Sequence, residues 1–459
     1  MDIPRILISG TSSRAGKTVI SIGLMRALRN RGYRVAPFKV GPDFIDPSYH
    51  LFATGRVSRN LDEYMMSHGD ILEAFVRGSR GADIAVIEGT MGLYDSHNAV
   101  DARGSTAEVS KVIKAPVVLV ANVERISRTA AAFVLGYRLF DPEVNLAGVI
   151  LNRVGNPRHA YKAKTAVEVL AKMRVFGTVP RNPGIEIPER HLGLIPAYEK
   201  DKLEQLFDNL ASVVEEHIDV EALVEVARSA PPLEEVEPSP LFSEPKRPRV
   251  TLGVARDVAF TFYYQDNLDA FAAQGARLVP IDTLRDPALP EVDALYIGGG
   301  FPEVMAEQLE RNRPLRRSIY EFCESGRPCY AECGGLMYLG QSINTRDNHE
   351  YEMVGFLPIA TEMRAKFQAL GYVRNLAVRD NPVSRSGDLL VGHEFHYSRV
   401  KAFEKLSFAY RVERGKGVDG AHDGILVKNT LANYMHVHVL SYPSMVNNFL
   451  NLAEKFKSC

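Results

Sequence analysis

The nine residues 10–18, with the sequence GTSSRAGKT, have the types and spacing of a phosphate-binding loop. An apolar run precedes them and a segment of helical periodicity follows, so the loop is expected to join a strand to a helix N-terminus. In such a loop the backbone N–H groups face an anion, the lysine reaches the terminal phosphates, and the hydroxyl after it ligates Mg²⁺. The sequence therefore predicts an ATP and Mg²⁺ site made by Gly10, Thr11, Ser12, Ser13, Arg14, Ala15, Gly16, Lys17 and Thr18.

Cys333, in the segment PCYAECGG, indicates a second and different chemistry. It lies where an apolar strand meets a helical run, and a sharp turn of this kind projects a nucleophile at the positive end of a helix. Another predicted strand, 295–297, runs into three consecutive glycines. We expect backbone N–H groups of Gly299, Gly300 and Gly334 to form an oxyanion hole beside the thiol.

Two histidines are candidates for the base that activates Cys333. The segment 432–440, ANYMHVHVL, alternates with the period of a strand, which predicts Tyr434, His436 and His438 on one face. Two residues along a strand separate side chains by about 7 Å, so one histidine alone can reach the thiol. We favour His436 as the base and keep His438 as the alternative.

Charged residues also follow the strands predicted in the first half of the chain. Glu88 ends an apolar strand, in the position of a carboxylate that holds Mg²⁺ directly or through water. In the segment 39–50, KVGPDFIDPSYH, Asp46 is expected to be a further metal ligand beside Thr18, and Lys39 a phosphate partner. Because arginine binds carboxylates with paired hydrogen bonds, we expect a polycarboxylate substrate. Its candidate contacts are Lys39, Asp43, Tyr49, Arg59, Asp62, Tyr94, Arg103, Arg190 and His191.

The composition limits the class of protein. The 459 residues are 46% hydrophobic and 24% charged with a net charge of −1, which gives no basic footprint for nucleic acid and no electrostatic membrane anchor. No apolar run reaches 18 residues, so we expect a cytoplasmic protein without a membrane partner. Four cysteines, three of them clustered, fit neither a disulfide framework nor a zinc site.

The periodicity predicts two α/β domains. Predicted strands alternate with helical segments such as 21–31 and 106–113, which is typical of a mostly parallel sheet with helices on both faces. The strands are expected at 5–9, 34–38, 84–88, 116–121, 146–152 and 175–179. A helical tail from 200 to about 229 closes the first half. Six prolines in 231–248 indicate a linker, so the predicted divisions are a domain at 1–230, the linker, and a domain at 249–459.

Two resemblances follow from these motifs. The loop, with Thr11 in place of a first glycine, resembles that of dethiobiotin-synthetase-like and MinD-like ATPases, which accept one extra residue. Residues 250–459 resemble a class I glutamine amidotransferase domain, with a GGG loop, a cysteine turn and a late histidine. Ala331 stands where glycine is usual, and the glutamate usual two residues after the histidine is absent. The second departure resembles the branch of these enzymes that works with a Cys–His pair.

The segments KVGPDFIDPSYH, SRNLD, GLYD, RGST, ERHLGL and GHEFHYS together resemble the cobyrinate a,c-diamide synthase family over essentially the whole chain. This resemblance implies an ATP-hydrolysing ligase that uses L-glutamine to convert the a- and c-acetate side chains of a tetrapyrrole into amides. The family includes Ni-sirohydrochlorin a,c-diamide synthases of coenzyme F430 biosynthesis, and the motifs do not separate the cobalt substrate from the nickel one. They also leave open whether the chain forms a homo-oligomer.

Two other functions compete with that interpretation. A cobyric acid synthase would share the architecture, but its chains lack KVGPDFIDPSYH in this form. A non-enzymatic MinD/ParA-like ATP switch would carry an additional lysine early in the loop, where this chain has Thr11, Ser12 and Ser13. A switch would also have no use for the cysteine and histidine of the second half.

Overall fold

The computed structural model describes residues 1–181, 200–242 and 246–457. The chain divides into two compact units, Met1–Glu237 and Pro238–Cys459. The point of division lies inside the proline-rich segment 231–248. Arg190, His191 and Cys459 lie outside the described residues.

The first unit is built on a sheet whose described strands all pair in parallel, in the order β3-β2-β4-β1-β5-β6-β7. Most of its strands are apolar runs buried on both faces, as expected where helices cover a parallel sheet on each side. The strands are β1 (Arg5–Gly10), β2 (Val35–Val40), β3 (Arg59–Leu61), β4 (Ile84–Gly92), β5 (Val117–Asn122), β6 (Leu146–Val154) and β7 (Val175–Pro180).

Short polar side chains start several helices of this unit. Ser67, Ser105, Asn156 and Asp219 each accept a backbone N–H of the first turn that follows, which satisfies a donor without a partner inside the helix. The predicted helical tail is two helices, separated at Asp219. The helices are α1 (Lys17–Asn30), α2 (Ile45–Thr54), α3 (His68–Gly78), α4 (Thr106–Val112), α5 (Thr129–Phe140), α6 (Pro157–Leu170), α7 (Lys200–His217) and α8 (Val220–Arg228).

The second unit has a larger mixed sheet, in the order β16-β15-β18-β19-β20-β11-β10-β8-β9, and a small one, β13-β12-β14-β17. The strands from β20 to β9 pair in parallel and the others of the large sheet are antiparallel. The strands are β8 (Val250–Ala255), β9 (Ala276–Ile281), β10 (Ala294–Ile297), β11 (Cys329–Glu332), β12 (Ser342–Asn344), β13 (Glu350–Glu352), β14 (Ile359–Met363), β15 (Ala369–Ala377), β16 (Leu389–His396), β17 (Ser398–Ala402), β18 (Phe408–Arg414), β19 (His422–Val427) and β20 (Thr430–Asn433).

Helices of the second unit cover its parallel strands and share a core with them. They are α9 (Gln265–Ala273), α10 (Ala306–Arg311), α11 (Arg313–Glu324), α12 (Gly334–Leu339) and α13 (Ser444–Glu454). Cys323 and Cys329 are fully buried in that core as free thiols. The predicted fold class, a P-loop parallel sheet followed by a second α/β unit, is confirmed. No helix in the described part of the chain is long and apolar enough to cross a membrane.

The prediction of one strand over 432–440 is wrong, because side chains take the hydrogen bonds that a strand would need. β20 ends at Asn433, and the carboxylate of Asp423 accepts the N–H groups of Tyr434 and Met435. His436 then exchanges two backbone hydrogen bonds with His393, at 2.8 and 3.1 Å. His438 turns the chain again, since its Nδ1 accepts the N–H of Leu440. The two histidines therefore do not share one strand face.

Gly23 marks a close approach between α1 and α7. A Cβ at Gly23 would lie 2.6 Å from Val214 Cγ2 and 2.7 Å from the backbone oxygen of Leu210. We expect Gly23→Ala to destabilise the chain by about 1–3 kcal/mol, as overpacking does in a close-packed interior. The measurement is the shift of the urea unfolding midpoint.

Gly136 supplies the matched control for this prediction. It lies in the interior of α5, and a Cβ there meets nothing within 4 Å. Gly136→Ala should therefore stabilise the chain by up to about 1 kcal/mol through helix propensity. Equal shifts for the two variants would contradict the close approach of α1 and α7.

Candidate active sites

The phosphate-binding loop lies where the sequence predicts it, between β1 and α1. Gly16 is the N-cap of α1 with φ = 98°, and it offers no side chain to the N–H groups of the first turn. A Cβ at Gly16 would lie 2.1 Å from Asn152 Nδ2, so glycine is required by space as well as by backbone angle. The free helix start and the loop amides are arranged to receive an anion.

Neighbouring elements fix the shape of this loop. The Asn152 side chain, at the end of β6, donates to the backbone oxygen of Ala15 at 2.8 Å. Tyr137 of α5 donates its hydroxyl to the backbone oxygen of Thr11, and the N–H of Thr11 donates to Val120 O at 3.0 Å. These contacts restrict the conformation of the loop backbone.

A buried polar cluster lies beside the loop, near the carboxyl end of β2 and in the middle of β4, which continues to Gly92 and does not end at Glu88 as predicted. Glu88 is 0% exposed; one of its oxygens accepts the Thr18 hydroxyl at 2.6 Å and the other lies 2.8 Å from His50 Nε2. Lys39 Nζ lies 2.5 Å from Asp46 Oδ2 and 3.2 Å from Glu88 Oε1. The structure thus brings together Thr18, Asp46, Glu88 and Lys39. It adds His50, which sequence reasoning placed in the segment but gave no role.

Charge pairing sets the protonation states in this cluster. Burial by itself disfavours the Lys39 cation, but the carboxylates of Asp46 and Glu88 outweigh it and raise the pKa of Lys39. Burial likewise opposes ionisation of Glu88, and the charges of Lys39 and His50 with the Thr18 hydrogen bond lower the pKa of Glu88 below its usual value. Glu88 is therefore an ionised carboxylate and Lys39 a cation.

The donor atoms of this cluster fit Mg²⁺. A hydroxyl from Thr18 and carboxylates from Glu88 and Asp46 are hard oxygen ligands of the kind that Mg²⁺ selects. Among the residues that the structure describes, no three His, Cys, Asp and Glu side chains form a metal cage. The remaining ligands of a bound Mg²⁺ would come from nucleotide phosphates and water.

The other predicted substrate contacts are dispersed. The Asp43 carboxylate accepts the N–H groups of Ile45 and Asp46 at the start of α2, and Asp62 accepts those of Tyr64 and Met65. Both carboxylates thereby shape turns. Arg103 is exposed and lies over the Tyr64 ring at 5.2 Å, whereas Tyr94 donates its hydroxyl to the backbone oxygen of Tyr137.

Two further predicted substrate contacts lie on α2 and β3 of the first unit. Tyr49 lies in α2 and is 2% exposed, and Arg59 begins β3. Their roles toward a substrate stay predictions.

Cys333 forms the predicted turn between β11 and α12. Its backbone has φ = 47° and ψ = −96°, a conformation that non-glycine residues rarely adopt and that marks strained functional turns. Gly334 donates its N–H to the sulfur, and the thiol lies 3.7 Å from the backbone oxygen of Phe395. The side chain is 5% exposed.

The glycine loop packs directly on this turn. A Cβ at Gly334 would lie 3.0 Å from Gly300 N and 3.0 Å from Pro302 Cδ. A Cβ at Gly299 would lie 2.6 Å from His436 Cε1. The loop, the cysteine turn and the His436 ring therefore meet at one place, and only residues without a Cβ fit between them.

Burial keeps the Cys333 thiol protonated. It raises the pKa of Cys333 above its usual value, and the nearby carboxylates of Glu303 and Glu332 add to that effect. Glu303 follows the glycine loop, and burial raises its own pKa to about 7. A thiol in this state needs a base within reach in order to act as a nucleophile.

The two histidines have different surroundings. His438 uses both ring nitrogens within the protein, because Nδ1 accepts the Leu440 N–H at 3.1 Å and Nε2 lies 3.3 Å from Asp266 Oδ2. His436 Nδ1 lies 3.2 Å from Glu332 Oε2, and its ring edge faces Gly299 of the loop. This geometry favours His436 as the base.

The segment 392–398, GHEFHYS, backs the cysteine site, although sequence reasoning gave its residues no part in it. The His393 ring stacks on His436 with ring centres 5.0 Å apart, and burial lowers the pKa of His393 well below its usual value. His396 stacks on Tyr434 at 3.6 Å, and Ser398 shares a hydrogen bond with the Tyr434 hydroxyl. The density of histidines in the segment was the signal available in the sequence.

Comparison with known families agrees with this division of the chain. Residues 6–195 match the CobQ/CobB/MinD/ParA nucleotide binding domain, and residues 251–444 match the CobB/CobQ-like glutamine amidotransferase domain. The two units thus define a protein class in which a P-loop nucleotide-binding domain precedes a glutamine amidotransferase domain.

Curated relatives cover the whole chain. The cobyrinate a,c-diamide synthase of Archaeoglobus fulgidus is 58% identical over 457 residues, which is 100% of this chain and 99% of the relative. Enzymes of the same name from Methanothermobacter thermautotrophicus and Methanosarcina acetivorans are 46% and 44% identical, covering 98% and 99% of this chain and 100% and 96% of the relatives. The chain belongs to the cobyrinate a,c-diamide synthase family.

The ionisation of Glu303 gives a pH-dependent prediction for Cys333. Above pH 7 the Glu303 carboxylate is charged and disfavours the thiolate, so Glu303→Gln should speed alkylation of Cys333 by iodoacetamide, by roughly two- to tenfold at pH 8. Below pH 6, where Glu303 is protonated, the rates should agree. Mass spectrometry of the Cys333 peptide measures the alkylation rates at both pH values.

Glu307→Gln is the matched control, since Glu307 lies one turn further along and pairs with Arg311 on the surface. It should leave the alkylation rate unchanged at every pH. Equal rates for the Glu303 variant and the parent chain at pH 8 would contradict the coupling of Glu303 to the thiol.

Proposed function

We propose that this chain amidates the a- and c-acetate side chains of cobyrinate with ammonia from L-glutamine, using Mg·ATP. The observation that carries the proposal is that the Cys333 turn, the glycine loop and the His436 ring meet in one unit, and that the other unit contains a phosphate-binding loop with a buried Glu88. The names of the relatives supply the substrate. The presence of both sites in one chain is accounted for if ammonia released from glutamine at the Cys333 site is used for amidation at the ATP site.

The glutaminase half begins with proton transfer from the Cys333 thiol to His436. The thiolate attacks the side-chain amide carbon, and the resulting oxyanion is stabilised by N–H groups of the Gly299, Gly300 and Gly334 region. His436 returns the proton to the leaving nitrogen, so ammonia departs and a γ-glutamyl thioester remains. Water, deprotonated by His436, then hydrolyses the thioester and releases glutamate.

The ligase half requires ATP because a carboxylate cannot expel its own oxygen. Transfer of the γ-phosphoryl group to an acetate side chain gives an acyl phosphate and ADP, and attack by ammonia then gives the amide and phosphate. Lys17 and the amides of the loop bind the phosphates. A bound Mg²⁺ supplies further neutralisation of their charge, and Thr18, Glu88 and Asp46 would hold it.

Cys333→Ser should separate the two halves. We expect loss of glutamine-dependent amidation by at least about 10³-fold, with ammonia-dependent amidation close to that of the parent chain, because the hydroxyl is a far weaker nucleophile in that turn. The assay is mass spectrometry of the diamide product. Parallel reactions with cobalt-containing cobyrinate and nickel sirohydrochlorin distinguish the two acceptors, and amidation of the nickel compound alone would contradict the proposed substrate.

Lys17→Ala should do the reverse. It removes a cation that stabilises the transferring phosphoryl group, so amidation should fall by several orders of magnitude with either nitrogen source. Glutamine hydrolysis without the other substrates should stay within about twofold of the parent chain. Undiminished ATP turnover, measured as released phosphate, would overturn the assignment of the loop, and the Cys333→Ser variant serves as the reciprocal control.

A further inference from the structure

We propose that Glu332, the residue directly before the nucleophile, is the positioning residue of the glutaminase base: it holds His436 through Nδ1 and thereby presents Nε2 toward the thiol. The inference rests on the proposed function, because it assigns a part within glutamine hydrolysis. The usual carboxylate of such a triad follows the histidine by two residues, and that position is His438 in this chain. Glu332 comes from a different element, the end of β11.

The contact is made between two fully buried side chains. Glu332 Oε2 lies 3.2 Å from His436 Nδ1, and the side chains are 2% and 1% exposed. A carboxylate and an imidazole removed from water to this degree interact more strongly than a surface pair, since little solvent screens them. The pair is therefore well placed to fix the orientation of the ring.

Hydrogen-bond donors surround the Glu332 carboxyl group, so its oxygens act as acceptors. The hydroxyls of Tyr296 and Tyr330 donate to it at 3.1 and 2.7 Å, and the N–H of Val437 lies 3.4 Å from Oε1. A carboxylate surrounded by donors acts as an acceptor, so the proton in the contact with the histidine resides on Nδ1. The other nitrogen, Nε2, then carries the lone pair that a general base needs.

The edge of the His436 ring opposite Glu332 faces the glycine loop, where we place the reaction. Its Cε1–Nε2 edge lies against Gly299, since a Cβ placed there would be 2.6 Å from Cε1 and 3.3 Å from Nε2. Gly300 in turn packs on Gly334, the residue after the nucleophile. Glu332 is the last residue of β11 and Cys333 is the turn residue that follows it, so one strand end supplies both the nucleophile and the group that orients its base.

Several described groups that pack near the ring are neutral. Across the sheet, His393 of β16 stacks on His436 and has a pKa lowered by burial, so it is neutral. The Tyr264 hydroxyl, from the residue before α9, bonds to His393 Nδ1 at 3.0 Å. Cys333 is held as a thiol, and Tyr296 and Tyr330 are neutral hydroxyls whose pKa values burial raises. Glu332 is the carboxyl group that meets the imidazole, at 3.2 Å.

The chain contains a matched control in the pair formed by His438 and Asp266. This pair is also buried, with 0% and 1% exposed side chains, and its Nε2–Oδ2 distance is 3.3 Å. It lies two residues from His436, and His438 has no ring nitrogen left for the thiol. Glu332→Gln and Asp266→Asn each replace one buried carboxylate by an isosteric amide.

Glu332→Gln should lower glutaminase kcat by about 10²–10⁴-fold with a small change in KM. The amide nitrogen donates to Nδ1 and so favours the tautomer with its proton on Nε2, which cannot accept from the thiol. The acidic limb of the kcat/KM profile should also move to lower pH, because an imidazolium loses its proton more readily without an adjacent carboxylate. Asp266→Asn should change kcat by less than about tenfold and leave the profile in place. Because ammonia-dependent amidation reports on the first unit, an unchanged urea unfolding midpoint is used to verify that both variants are folded.

A measurement on the parent chain avoids any loss of folding in the variants. In a ¹⁵N-histidine-labelled protein, the resonance that disappears in His436→Gln should show a neutral ring protonated on Nδ1. A ring protonated on Nε2 would overturn the proposal, as would equal kinetic losses and unchanged pH profiles in Glu332→Gln and Asp266→Asn. Glutaminase activity that survives Cys333→Ser would instead contradict the proposed function itself.

Discussion

Each unit of this protein buries a carboxylate of a sheet strand inside its candidate site, and the functional groups around that carboxylate are the partners that make its burial tolerable. Removing an ionised carboxylate from water costs on the order of several kcal/mol unless donors and cations surround it. Glu88 meets Thr18, His50 and Lys39 in the first unit, and Glu332 meets two tyrosines, His436 and Val437 in the second. The same contacts that stabilise the fold therefore position the chemistry.

Glycine makes this arrangement compact. Gly16 permits both the left-handed start of α1 and the approach of Asn152, and Gly299 and Gly334 let the His436 ring and the cysteine turn come together. A Cβ at these positions would displace the Asn152 amide, the His436 ring or the backbone of Gly300, which a close-packed interior does not absorb. The reacting groups are consequently held by rigid neighbours, as catalysis by preorganised donors requires.

The buried cysteine is kept inactive until a base removes its proton. Its raised pKa means that the free thiol is protonated at neutral pH, so the proposed hydrolysis of glutamine would depend on a correctly oriented His436. A glutaminase controlled in this way has little reactive thiolate to lose to oxidation while it waits for substrate. Burial of Cys333 in the second unit, which makes the thiolate unfavourable, thus also limits oxidation of the thiol.

The sequence by itself determined the fold class and the strands of the first sheet other than β3. Apolar runs and helical periodicity predict β1 and β7 to within a residue, since buried parallel strands and their covering helices leave strong local patterns. The phosphate-binding loop and the Cys333 turn were also predictable, because each is a contiguous motif whose backbone geometry demands particular residues in order.

Tertiary structure decided the rest. The segment 434–440 has the alternation of a strand, yet Asp423 and Asn267, distant in sequence, take its N–H groups and turn it. The partners of the two histidines were equally hidden, because Glu332 and Asp266 reach them from other elements, and no local period encodes which carboxylate a folded chain will bring to which ring. Lys39, expected to meet phosphate, is paired with Asp46 and Glu88 for the same reason: a buried cation takes the nearest anions that the fold supplies.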